Sequence, residues 1–228
     1  MIFKSMILAI AGVFICLHAQ AQTGRRPFVS ATGRSSVFAT PDQVKIDASV
    51  TTEGMTAQDA TAQNANIMNA LLAAIRRVVG ASGDVKTINF NVYPIYKNAP
   101  NQAPVITGYS ASNTVEVTLT NTSLAGPVID AASQNGATGI GALQFGLRDS
   151  DPARVQALKL ATQQAKGHAD SMAAGMGRVV GNIISIQESA GAPTPIVYTA
   201  GPAAAASTTV IPGTIEIQAT VVLEAELN

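Results

Sequence analysis

The run Ala111-Ser112-Asn113-Thr114-Val115-Glu116-Val117-Thr118-Leu119-Thr120 alternates without a break. A period of two, rich in β-branched residues, specifies a strand with one buried face and one wet face. Ala111, Asn113, Val115, Val117 and Leu119 fall on the buried face; Ser112, Thr114, Glu116, Thr118 and Thr120 fall on the other. A single strand cannot stand alone, so the remaining elements must flank it and cover one face. Asn113 is the exception on its face. A buried amide needs partners, so its side chain is expected to hydrogen-bond neighbouring backbone.

The other elements follow in order. Phe28 to Thr40 is a predicted strand that Gly33 interrupts, which suggests a bulge. Pro41-Asp42 is a turn, and Gln43 to Thr52 alternates with Val44, Ile46, Ala48 and Val50 inward, so the two strands are expected to form a hairpin ending at Glu53-Gly54. Thr56 with Asp59 three residues on is a helix start. Ile67, Leu71, Ile75 and Val78, widened by Met68 and Leu72, trace its apolar stripe to a stop at Gly80. Val85 to Tyr96 is a strand with Ile88, Phe90 and Val92 on one face, expected to pair with the alternating strand across the loop 98–104. A short helix from Leu124 to Gln134 tolerates Pro127 in its first turn and ends at Asn135-Gly136. Gly139 to Leu147 reads as one strand. Asp149-Ser150-Asp151-Pro152 opens a helix running to about Ala174, with a predicted stripe of Val155, Leu158, Thr162, Ala165, Ala169 and Met172. Arg178 to Ser189 and a final strand through Ile215, Ile217, Ala219, Val221 and Leu223 complete the chain. The order ββ-α-ββ-α-β-α-ββ predicts an α+β fold: a mixed, mainly antiparallel sheet with about three helices packed on it.

The N-terminal segment differs from all of this. Met1 to Lys4 is a short basic start, Met6 to Leu17 is apolar, and Ala19-Gln20-Ala21 is a small-x-small site. That is the pattern of a cleaved secretory signal, residues 1–21, followed by a flexible leader over 22–27 and a single domain over 28–228. Cys16 is the one cysteine and leaves with the signal. A cysteine-free exported chain suits a bacterial periplasm better than a disulfide-stapled secreted module. The segment 190–209 is rich in Ala and Pro and reads as a mobile loop.

Charge excludes some functions. Lys plus Arg and Asp plus Glu are 14 each; losing Lys4 leaves 13 against 14. Nothing here resembles the basic surface of a nucleic-acid binder. The catalytic inventory is equally thin. After signal removal the only histidine is His168, on a helix beside Lys166 and Asp170, where a solvated surface role is expected. No histidine or cysteine pair has zinc-ligand spacing, and Gly139-Ile140-Gly141 lacks the following helix of a dinucleotide fingerprint. Asp42 and Glu53 read as turn residues, and Arg76-Arg77 as complements to a helix C-terminus. Tyr93, Tyr96 and Tyr109 read as partly buried sheet edges, with a contact surface as the alternative. No catalytic, cofactor-binding or metal-binding residue is assigned, and no cofactor is expected.

Gly108-Tyr109-x-Ala111-Ser112-Asn113-x-Val115-x-Val117 resembles the signature strand of the SIMPL-domain family, YggE-like and outer-membrane-antigen-like exported bacterial proteins. Val29-Ser30-Ala31-Thr32-Gly33 with Pro41-Asp42, Thr52-Glu53-Gly54, Asn64 to Met68, Asn89-Phe90 leading to Tyr93-Pro94, Asp130-Ala131-Ala132, Asp151-Pro152-Ala153-Arg154 and Pro212-Gly213 are similar in the same order, over Pro27 to Leu227. Arg34 stands where an acidic residue is more usual. The resemblance implies a periplasmic or outer-membrane-associated protein without established catalysis, linked to tolerance of oxidative stress and assembling as a homo-oligomer. It supplies no site residues. A small-molecule or lipid carrier, with the apolar loop as a lid, is the alternative, its ligand unknown.

Overall fold

The computed structural model describes residues 26–80, 83–98, 100–141, 143–189, 197–198 and 208–228. The predicted signal 1–21, most of the predicted leader and most of the segment 190–209 lie outside them. The elements are β1 (Phe28–Ala39), β2 (Gln43–Gly54), α1 (Ala57–Val79), β3 (Gly83–Lys97), β4 (Val105–Leu119), α2 (Ala125–Gln134, entered by a 3-10 turn at Thr122–Leu124), β5 (Gly139–Ile140), β6 (Leu143–Gly146), α3 (Asp151–Gly175), β7 (Val180–Ser189), β8 (Val197–Tyr198) and β9 (Ile215–Leu227). The fold is α+β in the predicted order, and the strand pairs are antiparallel.

The strands divide into two sheets. One has the order β3-β4-β2-β6-β8, with β5 also on β2; the other is β1-β9-β7. β4 lies between β3 and β2 and buries the assigned face at Ala111, Val115, Val117 and Leu119. Val44, Ile46, Ala48 and Val50 of β2 continue that face. Met68, Leu71, Ile75 and Val79 of α1, with Val128 and Ile129 of α2, close over it. Side-chain burial on this scale is the main force holding the layers together.

Helix α1 begins as expected. The Thr56 hydroxyl accepts from Asp59 N at 3.1 Å, and Gly80, at φ 56°, ends the helix with its N–H on Arg76 O. The buried stripe differs slightly from the predicted one: Ala60 and Asn64 occupy the N-terminal half, where helix and sheet approach closely. There the Thr52 hydroxyl donates to Ala60 O at 2.7 Å.

Several expectations are corrected. β1 and β2 do not form a hairpin. β1 pairs along its whole length with β9, while β2 pairs with β4 and β6. The Pro41-Asp42 turn is held instead by the end of β6: Asp42 N donates to Gly146 O, and Arg148 N donates to Asp42 Oδ1 at 2.7 Å. Gly33 is not a bulge, because the β1–β9 register runs through it unshifted. It is a close-approach site under α3, where a Cβ would meet the Ala161 carbonyl and the Ala165 nitrogen.

The same contact explains the α3 stripe. The buried residues are Ala157, Ala161, Ala165, Ala169 and Ala173, a strict i,i+4 row of alanines, while Val155 is 64% exposed and Met172 44%. Large side chains would hold the helix off the sheet; alanines let it settle onto β1 and β9. The strand expected over Gly139–Leu147 is two short strands, both on β2. On β3 the register shifts between Thr87 and Asn89, so Ile88 is an inserted residue; Phe90 and Val92 share a face, opposite Asn113 and Ala111.

Candidate interaction surface

The outermost strands carry the features that distinguish this surface. β3 edges the larger sheet and β7 edges the smaller. An edge strand offers unpaired backbone N–H and C=O groups, and proteins usually guard it with charge, proline or a bulge. From Thr87 to Tyr96, β3 carries no charged side chain and one proline, Pro94. From Val180 to Gln187, β7 carries no charge at all.

Both edges do carry a bulge, and both bulges hold isoleucine. Ile88 sits at the shift between Thr87 and Asn89, and Ile184 at the shift between Ile183 and Ser185. They are 46% and 54% exposed. Phe90, Tyr93 and Tyr96 are exposed farther along β3, with Val105 and Ile106 near Tyr96 on the partner strand; Ile183 and Ile186 flank Ile184. β2 reaches only to the Gly54–Tyr109 pair, so beyond Pro94 the β3–β4 ribbon continues as two strands. Such a ribbon is marginal in water without further cover.

The wet face of the larger sheet has a different character. Asp47 and Glu116 are directly paired across β2 and β4. Lys86 Nζ lies 2.9 Å and Lys45 Nζ 3.4 Å from Glu116 Oε1. The Lys86 ammonium, hydrogen-bonded to Glu116, holds that carboxyl below its usual range, and Lys45 adds to this. The same contact raises Lys86. Partial burial, and then the Glu116 charge, push Asp47 up. On the smaller sheet the Ser36 hydroxyl and then the Gln218 amide lower Glu216.

The residues singled out by sequence are scattered. His168 Nδ1 lies 2.9 Å from Thr32 O, joining α3 to β1 on an exposed surface, and Lys166 pairs with Asp170 at 2.7 Å. Arg76 and Arg77 occupy the last turn of α1. Asp42 caps the β6 end, and Glu53 lies near the end of β2. Tyr93 and Tyr96 are exposed on β3, while Tyr109 is half-buried opposite Pro94. Among the described residues, no group of three or more His, Cys, Asp or Glu is placed to hold a metal ion. The apolar loop invoked as a carrier's lid falls mostly outside the described residues. Asn113 does not make the expected backbone bonds through its oxygen, which is unpartnered. Asn64, unremarked in the sequence apart from its place in the family pattern, makes them instead: Nδ2 donates to Val50 O at 2.8 Å and Ala111 O at 3.0 Å. The exposed isoleucines of β7 were also missed as a surface, because strand assignment alone does not say which strands are edges.

A family model described as SIMPL, a protein of unknown function (DUF541), matches residues 29–225. The chain belongs to the SIMPL family. The match runs from the first strand to the last, so it covers both SIMPL sheets and the alanine-faced helix that packs on β1 and β9. Among relatives, the chain is 30% identical over 162 residues to a 26 kDa periplasmic immunogenic protein of Brucella melitensis biotype 1, covering 67% of this chain and 64% of that protein. It is 26% identical over 187 residues to the uncharacterized protein YggE of Escherichia coli K12, covering 81% of this chain and 76% of the relative. It is 24% identical over 181 residues to YggE of Edwardsiella ictaluri, covering 79% and 75%. The chain thus spans a little under two thirds of the length of the Brucella protein.

Proposed function

We propose that this chain is a non-enzymatic SIMPL protein of the periplasm that assembles into a homo-oligomer through its β3 and β7 edges, and that the assembly supports tolerance of oxidative or envelope stress. The observation that carries the assembly is the pair of uncharged edges, each with an exposed isoleucine at its bulge. Two different edges on one chain favour a head-to-tail contact, β3 of one copy against β7 of the next, which closes into a ring where the rotation allows. Added strand pairing supplies backbone hydrogen bonds, and the exposed apolar side chains supply burial.

The periplasmic assignment is supported by the signal-like residues 1–21 and by the name of the Brucella relatives. The non-enzymatic assignment is supported by the separation of His168, Asp42, Glu53 and Arg76-Arg77, which lie on different elements. The stress role is the family-level expectation applied to this chain.

Size-exclusion chromatography with light scattering on the processed chain tests the assembly. A defined multiple of the chain mass is expected; a strict monomer at micromolar concentration contradicts it. A deletion strain challenged with peroxide and paraquat tests the role, and survival equal to the parent rejects it.

A further inference from the structure

Besides Glu116 Oε1, which faces the Lys86 and Lys45 ammoniums, two side-chain oxygens among the described residues are buried without a hydrogen-bond partner: Asn64 Oδ1 on α1 and Asn113 Oδ1 on β4. Asn64 is wholly buried. Its orientation is fixed, because Nδ2 donates to both Val50 O and Ala111 O. Exchanging nitrogen and oxygen would set an acceptor against two carbonyls. Oδ1 therefore points away from those carbonyls.

Asn113 rises beside this point. Ser49 O accepts from Thr138 N, which turns the backbone groups of Ser49 toward the β5 side. Strand alternation then turns those of Val50 toward β4. Val50 pairs with Asn113, so Val50 O faces the Asn113 N–H while also accepting from Asn64 Nδ2. The Cα atoms of such a pair are about 5.5 Å apart. The Asn113 side chain stands on the helix-facing side with Ala111 and Val115, so the two amides are neighbours at the border of the core. Phe90, the β3 partner of Asn113, is on the edge side and half exposed.

We propose that Asn64 Oδ1 and Asn113 Oδ1 form a site for one small neutral molecule with two hydrogen-bond donors, and that the resident is a single internal water giving one proton to each oxygen. Buried acceptors left unmatched are costly, and a buried water requires two or more polar partners, which this pair supplies. Both acceptors are uncharged, which suits a neutral donor better than a metal ion. The water joins α1 to the β2–β4 pair at a polar break in a mainly apolar layer, one helical turn from the Thr52 hydroxyl on Ala60 O. This inference is independent of the assembly reading.

A crystal structure of the processed chain at a resolution that orders water tests the site, with water–amide cross-relaxation by NMR as the solution counterpart. One density peak about 2.8 Å from both Oδ1 atoms is expected, with a water cross-peak to the Asn64 side-chain amide. In Asn113→Leu the peak and cross-peak should vanish while Asn64 keeps Val50 O and Ala111 O. A direct bond from Asn113 Nδ2 to Asn64 Oδ1 with nothing between them overturns the proposal. So does a peak that survives Asn113→Leu at full occupancy. Should that variant fail to fold, the wild-type map alone decides.

Discussion

Gly33 of β1 lies against the backbone of Ala161 on α3, so close that a Cβ on Gly33 would fall on the Ala161 carbonyl oxygen. The row of alanines and this glycine are two halves of one contact: the sheet gives up a side chain where the helix has already given up its bulk. Gly33→Ala should therefore destabilise by about 3 kcal/mol or more, because the obstacle is backbone and cannot rotate away. Gly146→Ala, where nothing lies within 4 Å of the added carbon, should change stability far less. Denaturant unfolding of both variants checks the contrast; equal losses would contradict it.

Asp47 and Glu116 make a pH signature with two signs. Glu116 is held below its ordinary pKa of 4.5, so its stabilisation is present above that value and is lost as pH falls through the folded-state value. Asp47 is raised above 3.8, so its charge opposes folding at neutral pH, and that cost disappears on acidification. Asp47→Asn should raise the melting temperature at pH 7 and lose this gain well below pH 3.8. Glu116→Gln should lower it at pH 7 but not at strongly acidic pH. Both groups are near the surface, so each effect should stay under about 1 kcal/mol. Melting curves from pH 2 to pH 7 check the signs.

Thr208 is clamped onto α2. Its hydroxyl donates to Asp130 Oδ1 at 2.7 Å and its N–H to Asp130 Oδ2 at 3.2 Å, with the Thr208 carbonyl resting on Gly126. Asp130→Ala should cost about 1–2 kcal/mol through lost charge-assisted bonds. Gly126→Ala should cost at least as much by pushing the chain off the helix. An unchanged unfolding midpoint in both would reject the clamp.

Thr56→Ala should cost about 1 kcal/mol, the usual loss at an N-cap, since the hydroxyl accepts from Asp59 N. Thr56→Ser should restore most of it. Unfolding midpoints of the two variants check this.

The elements that sequence disclosed are those with local causes. Thr56 marks a helix start through its cap, Asp149-Ser150-Asp151-Pro152 marks one through the Pro152 position in the first turn and the Asp149 carboxylate on Asp151 N, both settled within a few residues, and the β4 alternation marks its own faces. Partners across the chain were another matter. β1 and β2 adjoin in sequence, yet β1 belongs with β9, and nothing local to the Pro41-Asp42 turn distinguishes a hairpin from a change of sheet. Val155 and Met172 looked like core because of their size. The deciding fact was Gly33, far away in sequence, which admits only alanine above it. Ile88 and Ile184 form a surface because β3 and β7 are edges, and edge position has no local signature.

Mixing two edge variants tests the assembly most directly. Ile88→Lys blocks β3 and leaves β7 open; Ile184→Lys does the reverse. Both sites are exposed, so the folded chain should tolerate either, with stability changed by about 0.5 kcal/mol or less. Light scattering should show each variant alone as a monomer, and their equimolar mixture as a one-to-one dimer that grows no further. Variants that each retain the wild-type mass, or a mixture that remains monomeric, would contradict head-to-tail pairing of β3 with β7.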